Sequence, residues 1–239
     1  SFMPYDSYFG PEFNTIDFLR KMISDNSSGL DLPAAVILET VQAEGGVNIA
    51  SPEWLRDLAQ LCYEFDILLI IDDIQVGNGR TGDFFSFEES GIKPDIVTLS
   101  KSIGGGLPLA LLLFRQDLDQ WKPGEHTGTF RGNNLAFVAS YEALHYWDTM
   151  DLSNAIAYKS DVMRTALQKI ADRFPELEAK VRGRGMIFGL EIPERGFCSQ
   201  LSERCFQNGL IIELAGADDQ VMKFLPVLTI DEETLLKGI

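Results

Sequence analysis

Cysteine is scarce in this chain, basic residues are outnumbered, and no apolar run approaches the ~18 residues of a membrane-spanning helix. Each shortage excludes something. Cys62, Cys198 and Cys205 are an odd number with no C-x-x-C pair, which argues against a disulfide scaffold and for a reducing compartment, hence the cytoplasm. Lys and Arg number 20 against 36 Asp and Glu, and the net charge of −16 argues against nucleic-acid and anionic-membrane partners. The opening Ser1-Phe2-Met3-Pro4-Tyr5 has neither the charged nor the apolar region of a signal peptide. What is left is an acidic chain of 239 residues, 45% hydrophobic, long enough to bury a large core as one α/β domain or as one domain plus part of another.

Strand and helix signals alternate along it. Asn14 caps a helix with Ile16, Leu19, Met22 and Ile23 on one face, ended by Asn26-Ser27-Ser28-Gly29. Ala34 to Leu38 reads as a buried strand ending at Glu39, and Ser51-Pro52-Glu53 opens a helix carrying Trp54, Leu55, Leu58, Leu61 and Cys62 at helical spacing. Further strands are expected over 67–71, 96–99 and 109–114, which makes βαβ grammar and a mostly parallel sheet. Long helices follow at about 134–147 and 153–174, and Val181 to Glu191 begins a smaller α+β section. A domain boundary is expected between Ala171 and Lys180, dividing 1–175 from 176–239.

Two residues carry the chemistry. The strand at 67–71 ends on Asp72-Asp73, and Lys101 lies 29 positions beyond Asp72, in the run Leu99-Ser100-Lys101-Ser102-Ile103 before Gly104-Gly105-Gly106. A lysine held in a buried turn can lose its proton and attack a carbonyl, and an aspartate from a neighbouring strand can hold a protonated heterocyclic nitrogen. Those are the two polar handles that pyridoxal phosphate needs from a protein. Alone, the lysine is an ordinary solvated turn residue, and the acidic pair is a helix cap or a divalent-metal site. Glu39, Asp72 and Lys101 would all lie at the carboxyl ends of strands, the edge at which such sheets bind ligands. Gly77-Asn78-Gly79-Arg80-Thr81-Gly82 matches G-x-G-x-x-G, but both aspartates separate it from the strand and Asp83 to Phe87 has no helical period, so a dinucleotide loop is not expected.

The wording around those residues raises the odds. Ile67 to Gly82 and Ser100-Lys101 with its three glycines resemble the signatures of the class III (omega-amino acid) pyridoxal phosphate aminotransferases, and the resemblance runs through nearly the whole chain. It implies fold type I: a mostly parallel α/β large domain with a small C-terminal α+β domain. It also implies that Lys101 forms the Schiff base with pyridoxal 5′-phosphate, that Asp72 binds the pyridine nitrogen, that Ile74 packs on a ring face and that Gln75 approaches the phenolic oxygen. Asp73 stands where many relatives carry glutamate and is expected not to touch the cofactor. Family members begin upstream, with a segment that cradles the phosphate, so the chain reads as lacking an N-terminal part and as cut within its last helix, at Gly238-Ile239.

Two segments narrow the resemblance. His126 to Asn134 is similar to the loop in which a threonine reaches the partner subunit's phosphate, which would be Thr129 and would make the protein a homodimer or higher homo-oligomer; a threonine bonding its own turn is the plainer alternative. Its Thr-Phe-Arg-Gly-Asn form, after Trp121 to His126, resembles the branch that exchanges amino groups between diaminobutyrate and 2-oxoglutarate, the ectoine-biosynthesis group most of all. The resemblance then implies conversion of L-aspartate 4-semialdehyde with L-glutamate to L-2,4-diaminobutyrate. Another class III omega-aminotransferase, using ornithine, 4-aminobutyrate or acetylornithine, or a siderophore role, is the alternative. Lys223 stands where ornithine-type members carry an arginine that clamps the α-carboxylate of glutamate, and Glu44 matches the glutamate that covers that arginine when the other substrate enters. Lysine cannot make the planar two-bonded fork. Either Lys223 binds the carboxylate as a point charge, or Arg184 or Arg131 replaces it.

Overall fold

The computed structural model describes residues 1–129 and 131–239; Phe130, in the middle of the Thr-Phe-Arg-Gly-Asn segment, lies outside the described residues. The elements run α1 (Thr15–Ser24), β1 (Ala35–Leu38), β2 (Val41–Gln42), β3 (Asn48–Ile49), α2 (Pro52–Glu64), β4 (Leu68–Asp72), β5 (Ile96–Leu99), β6 (Leu111–Phe114), α3 (Asn134–Thr149), α4 (Leu152–Arg173), β7 (Lys180–Arg184), β8 (Ile187–Glu191), α5 (Phe197–Gln207), β9 (Glu213–Ala215), β10 (Val221–Phe224) and α6 (Glu232–Gly238). They form two compact units, Ser1–Thr40 with Ala50–Gln75 and Phe87–Leu144, and Val41–Ile49 with Val76–Ser86 and His145–Ile239. These units interleave along the chain, whereas the sequence pattern places one cut between 171 and 180. Contact grouping and chain division are different properties.

In the first unit the sheet order is β1-β4-β5-β6, parallel as far as β5, with β6 antiparallel at the edge. Its helices start where side-chain caps satisfy the free amides of the first turn. Asn14 Oδ1 accepts from the Ile16 and Asp17 N–H groups at 2.8 and 3.2 Å, and Ser51 Oγ accepts from the Trp54 N–H at 3.2 Å ahead of Pro52. Each such cap is worth about 1 kcal/mol. The apolar stripe of α2, Leu55, Leu58, Leu61 and Cys62, packs with Ile16 and Leu19 of α1 and with Leu69 and Ile71 of β4. Trp54 Nε1 donates to Thr15 Oγ1 at 2.7 Å, which ties the two helices at their first turns.

The second unit is built on an all-antiparallel sheet, β7-β8-β10-β9, with the short hairpin β2-β3 beside it. Val41, Ala43 and Val47 of the hairpin bury against Ile187, Ala215 and Val221 of the sheet. Gly189 permits that approach, because a Cβ there would lie 2.7 Å from Val221 Cγ1 and 3.1 Å from Val47 Cγ2. Ile156, Met163 and Leu167 of α4 cover Met186 and Phe188, and all five are fully buried. Among the described residues no helix is long and apolar enough to cross a membrane.

Candidate active site

The first unit brings the strand-end residues to one edge. β1, β4 and β5 are parallel neighbours, so Glu39, Asp72-Asp73 and Ser100-Lys101 leave the sheet at the same end. Asp72 pairs in register with Thr98, and the Asp73 N–H donates to the Thr98 carbonyl at 3.0 Å. Successive side chains on an extended segment face opposite ways. Their surroundings differ accordingly: Asp73 has no exposed surface, while Asp72 is half-buried and its Oδ1 accepts from the Ile74 N–H at 3.1 Å.

Lys101 sits where the chain reverses. Ser100 is extended and its hydroxyl donates to the Leu109 carbonyl at 2.7 Å, after which Lys101 takes the left-handed region at φ +51°. That conformation costs a non-glycine residue about 1–2 kcal/mol, and it persists where neighbouring structure imposes it. Here the imposition is visible: Ile103 is buried, and at Gly105, φ +60°, a Cβ would lie 2.4 Å from the Ala139 carbonyl oxygen of α3. The strap holds the backbone while leaving the Lys101 side chain exposed.

The groups around this edge fit pyridoxal phosphate. Gln75 Oε1 and Thr98 Oγ1 are buried without a hydrogen-bond partner among the described residues. A buried polar atom left so is costly unless something else satisfies it. An amide and a hydroxyl in want of partners, a half-buried carboxylate and a reachable amine suit an aldehyde-bearing heterocycle with a phenolic oxygen and a ring nitrogen. Ile74 is half-buried beside them. Thr129 and Arg131 are exposed, and Arg131 Nη1 donates to the His126 carbonyl. Among the described residues no group of three or more His, Cys, Asp or Glu side chains is placed to hold a metal ion.

The second unit brings Glu44 and Lys223 together although they stand 179 residues apart. Lys223 Nζ lies 2.5 Å from Glu44 Oε1 and 3.0 Å from Glu213 Oε2. The Glu44 turn is held down by backbone bonds: the Gly216 N–H donates to the Glu44 carbonyl at 2.9 Å, and Arg182 Nε donates to the Gly46 carbonyl at 2.7 Å. Val47, β-branched and fully buried, takes φ +57° to close that turn. Glu213 is the residue that the motifs missed. A hairpin register drawn through the turn at Gly216 to Gln220 would have found it, since Glu213 is directly opposite Lys223.

Of the candidate arginines, Arg184 is engaged at one nitrogen, while its Nε is buried without a hydrogen-bond partner among the described residues. Arg184 Nη2 donates to the Ser86 carbonyl at 2.5 Å. Arg80, which the motif left without a role, donates to the Met186 and Pro226 carbonyls at 3.0 and 2.5 Å, and burial lowers its pKa to about 10. The segment Gly77 to Gly82 is a run of turns, and among the described residues no α-helix follows it before residue 134, so it lacks the helix a dinucleotide loop requires.

The family model for class-III aminotransferases matches residues 14–239. Among curated proteins the chain is 64% identical over 239 residues to a diaminobutyrate--2-oxoglutarate transaminase of Wolinella succinogenes, and 53% identical over 242 residues to one of Bordetella parapertussis. It covers 100% of itself and 56% of each, so the chain spans little more than half the length of those relatives. Acetylornithine aminotransferase from Elizabethkingia anophelis has the same fold, with TM-score 0.82 and 29% identity over 95% of this chain and 56% of that one. N-acetylornithine aminotransferase from Stenotrophomonas maltophilia K279a matches with TM-score 0.80 and 31% identity, over 95% and 58%. Class III aminotransferases are pyridoxal phosphate-dependent enzymes of fold type I, and the α/β architecture here is theirs. From Asn14 to its last residue, this chain belongs to the class III aminotransferase family.

Proposed function

We propose that the protein carrying this chain transfers the amino group of L-glutamate to the terminal aldehyde of L-aspartate 4-semialdehyde, giving 2-oxoglutarate and L-2,4-diaminobutyrate. The observation that carries this reading is 64% identity along the entire chain to a protein named diaminobutyrate--2-oxoglutarate transaminase. Residues 1–175 would form the cofactor domain and 176–239 a small C-terminal domain, in a homo-oligomer of the cytoplasm. The Thr-Phe-Arg-Gly-Asn segment favours ectoine synthesis as the use of the product over a siderophore.

Bound pyridoxal phosphate supplies an electron sink that lets the substrate carbon lose its proton. Lys101 Nζ would hold the cofactor at its aldehyde, and as a free amine it would take the proton from the substrate carbon as general base and return it as general acid. Asp72 holds a proton on the ring nitrogen through a charge-assisted bond, which keeps the ring positive. Gln75 Oε1 would accept from the phenolic O–H, and Ile74 would pack against the ring face. Thr129 serves the phosphate bound by a second copy. Glu44 and Lys223 are the substrate-binding pair in this reading.

A donor and acceptor screen tests this. L-2,4-diaminobutyrate with 2-oxoglutarate should give the highest kcat/KM among diaminobutyrate, ornithine, 4-aminobutyrate and N-acetylornithine. A higher value for any of the other three assigns the protein to a different omega-amino substrate. Loss of growth in high salt after gene deletion, restored by added ectoine, supports the osmolyte role; loss only under iron limitation supports the siderophore.

A further inference from the structure

The hydroxyl of Thr98, on β5, is buried and has no hydrogen-bond partner among the described residues. Its surroundings follow from the sheet register. Across β4 it is paired with Asp72, and across β6 with Leu112. Paired residues on adjacent strands share a face about 5 Å apart, and residues two apart along one strand share it as well. Thr98 therefore has Ile96, Ser100, Asp72 and Leu112 as neighbours on its side of the sheet. Two of these are apolar, and the Ser100 hydroxyl donates to the Leu109 carbonyl at 2.7 Å. Asp72 is the one charged acceptor of the four, and bonds to a charged acceptor are roughly twice as strong as neutral ones. Its Oδ1 accepts from the Ile74 N–H at 3.1 Å. An ionised carboxylate offers about four acceptor positions, so that bond leaves room for a hydroxyl and a ring N–H together.

We infer that Thr98 is a positioning residue for the ring-nitrogen contact: with pyridoxal phosphate bound, its hydroxyl donates to the Asp72 carboxylate and holds that group facing the pyridine nitrogen. The inference rests on the proposed function, which places Asp72 on that nitrogen. A buried hydroxyl without a partner costs free energy, and the cost is recovered only when an acceptor turns to it. Held by the Ile74 N–H alone, the half-buried Asp72 carboxylate is free to pivot about that bond. A second donor from β5 fixes its plane. Exclusion of water from the carboxylate by the bound ring strengthens that bond, because hydrogen bonds gain in a low dielectric. The hydroxyl of Thr98 is thus a cost to the protein alone and a gain to the loaded enzyme.

The test compares the full protein with and without pyridoxal phosphate in the variants Thr98→Val, which keeps the branched shape and removes the hydroxyl, and Thr98→Ser, which keeps the hydroxyl. Without cofactor, Thr98→Val should melt at the same temperature as the unaltered protein or higher. The rise in melting temperature that pyridoxal phosphate confers should shrink in Thr98→Val by about 2 °C or more and stay unchanged in Thr98→Ser. Thr98→Val should also lower the single-turnover rate about three- to tenfold with the best amino donor, the scale of one hydrogen bond. In an Asp72→Ala background the same change should alter that rate by less than about twofold, because the hydroxyl then has no carboxylate to hold. Equal losses of stability with and without cofactor would show a hydroxyl already satisfied by the protein, and overturn the proposal. A full Thr98→Val loss that persists in Asp72→Ala would show a hydroxyl acting without Asp72, and overturn it too. If Asp72→Ala by itself leaves the rate unaltered, the placing of Asp72 on the ring nitrogen fails, and with it the positioning role of Thr98; if L-glutamate is not an amino donor, the proposed substrates fail while the melting comparison still decides the role of Thr98.

Discussion

Lys101 and Lys223 are both lysines with neighbouring carboxylates in the sequence motifs, and their surroundings are opposites. Lys101 is exposed on a strained left-handed turn in the first unit. Lys223 is sealed within the second, its amine shared between Glu44 and Glu213. A nucleophilic amine has to be reachable and free to change partners, and strain in the backbone fixes where it starts from. A buried cation, by contrast, persists only if its charge is met, so it becomes part of the architecture. The same residue type serves chemistry in one place and charge balance in the other.

The largest test of that contrast is Lys101→Ala in the cofactor-loaded enzyme. It should lower turnover by about a thousandfold or more, within the range of losing both the covalent anchor and the proton carrier, without relieving the left-handed turn, because alanine keeps the Cβ that strains it. Borohydride reduction followed by peptide mapping should mark Lys101. A label on Lys223 would invert the comparison.

Next in size are the paired acids. Asp72→Asn should lower the single-turnover rate by about ten- to a hundredfold, the loss of one charge-assisted bond of 1.5–3 kcal/mol, with little change in stability. Asp73→Ala should do the reverse, costing about 1–3 kcal/mol in chemical denaturation because it empties a fully buried polar position. Equal kinetic losses at the two positions would show that burial does not separate their roles.

A smaller effect is expected from subunit mixing. Inactive Lys101→Ala protein combined with a Thr129→Ala variant should recover part of the activity, because one hybrid site then has both residues intact; gel filtration checks that subunits exchange. Activity that never exceeds the parents' while hybrids form would confine Thr129 to its own subunit.

The smallest concerns the thiols. Burial pushes the Cys62 thiol up to about 12, so at pH 8 it is the unreactive neutral form, and it is also out of reach in the α2 core. Iodoacetamide should modify half-buried Cys205 first and Cys62 only on unfolding.

What local physics decides was legible without a structure. The caps at Asn14 and Ser51, the period of α2, the apolar strands before Asp72 and Lys101 and the long helices are set by neighbours within a few residues, and the observed bounds lie within two residues of those the sequence implies, β6 included, which starts at Leu111 and not at 109. The motif lysine and acids were legible as well, because their chemistry is carried by residue type and spacing. The antiparallel direction of β6 was not, since an apolar run looks the same read in either direction.

The sequence by itself determined the order of elements, the family's signature residues and an acidic surface, all of which follow from residue types and short spacings. Only the tertiary structure decided that Asp73 is sealed while Asp72 is reachable, that Lys101 is held in a left-handed turn by the approach of α3 to Gly105, and that Glu213 shares Lys223 with Glu44. The physical reason is common to all three. Burial, imposed strain and ion pairing between residues as far apart as 44 and 223 arise from sheet register and close packing, and neither has a local signature in the chain.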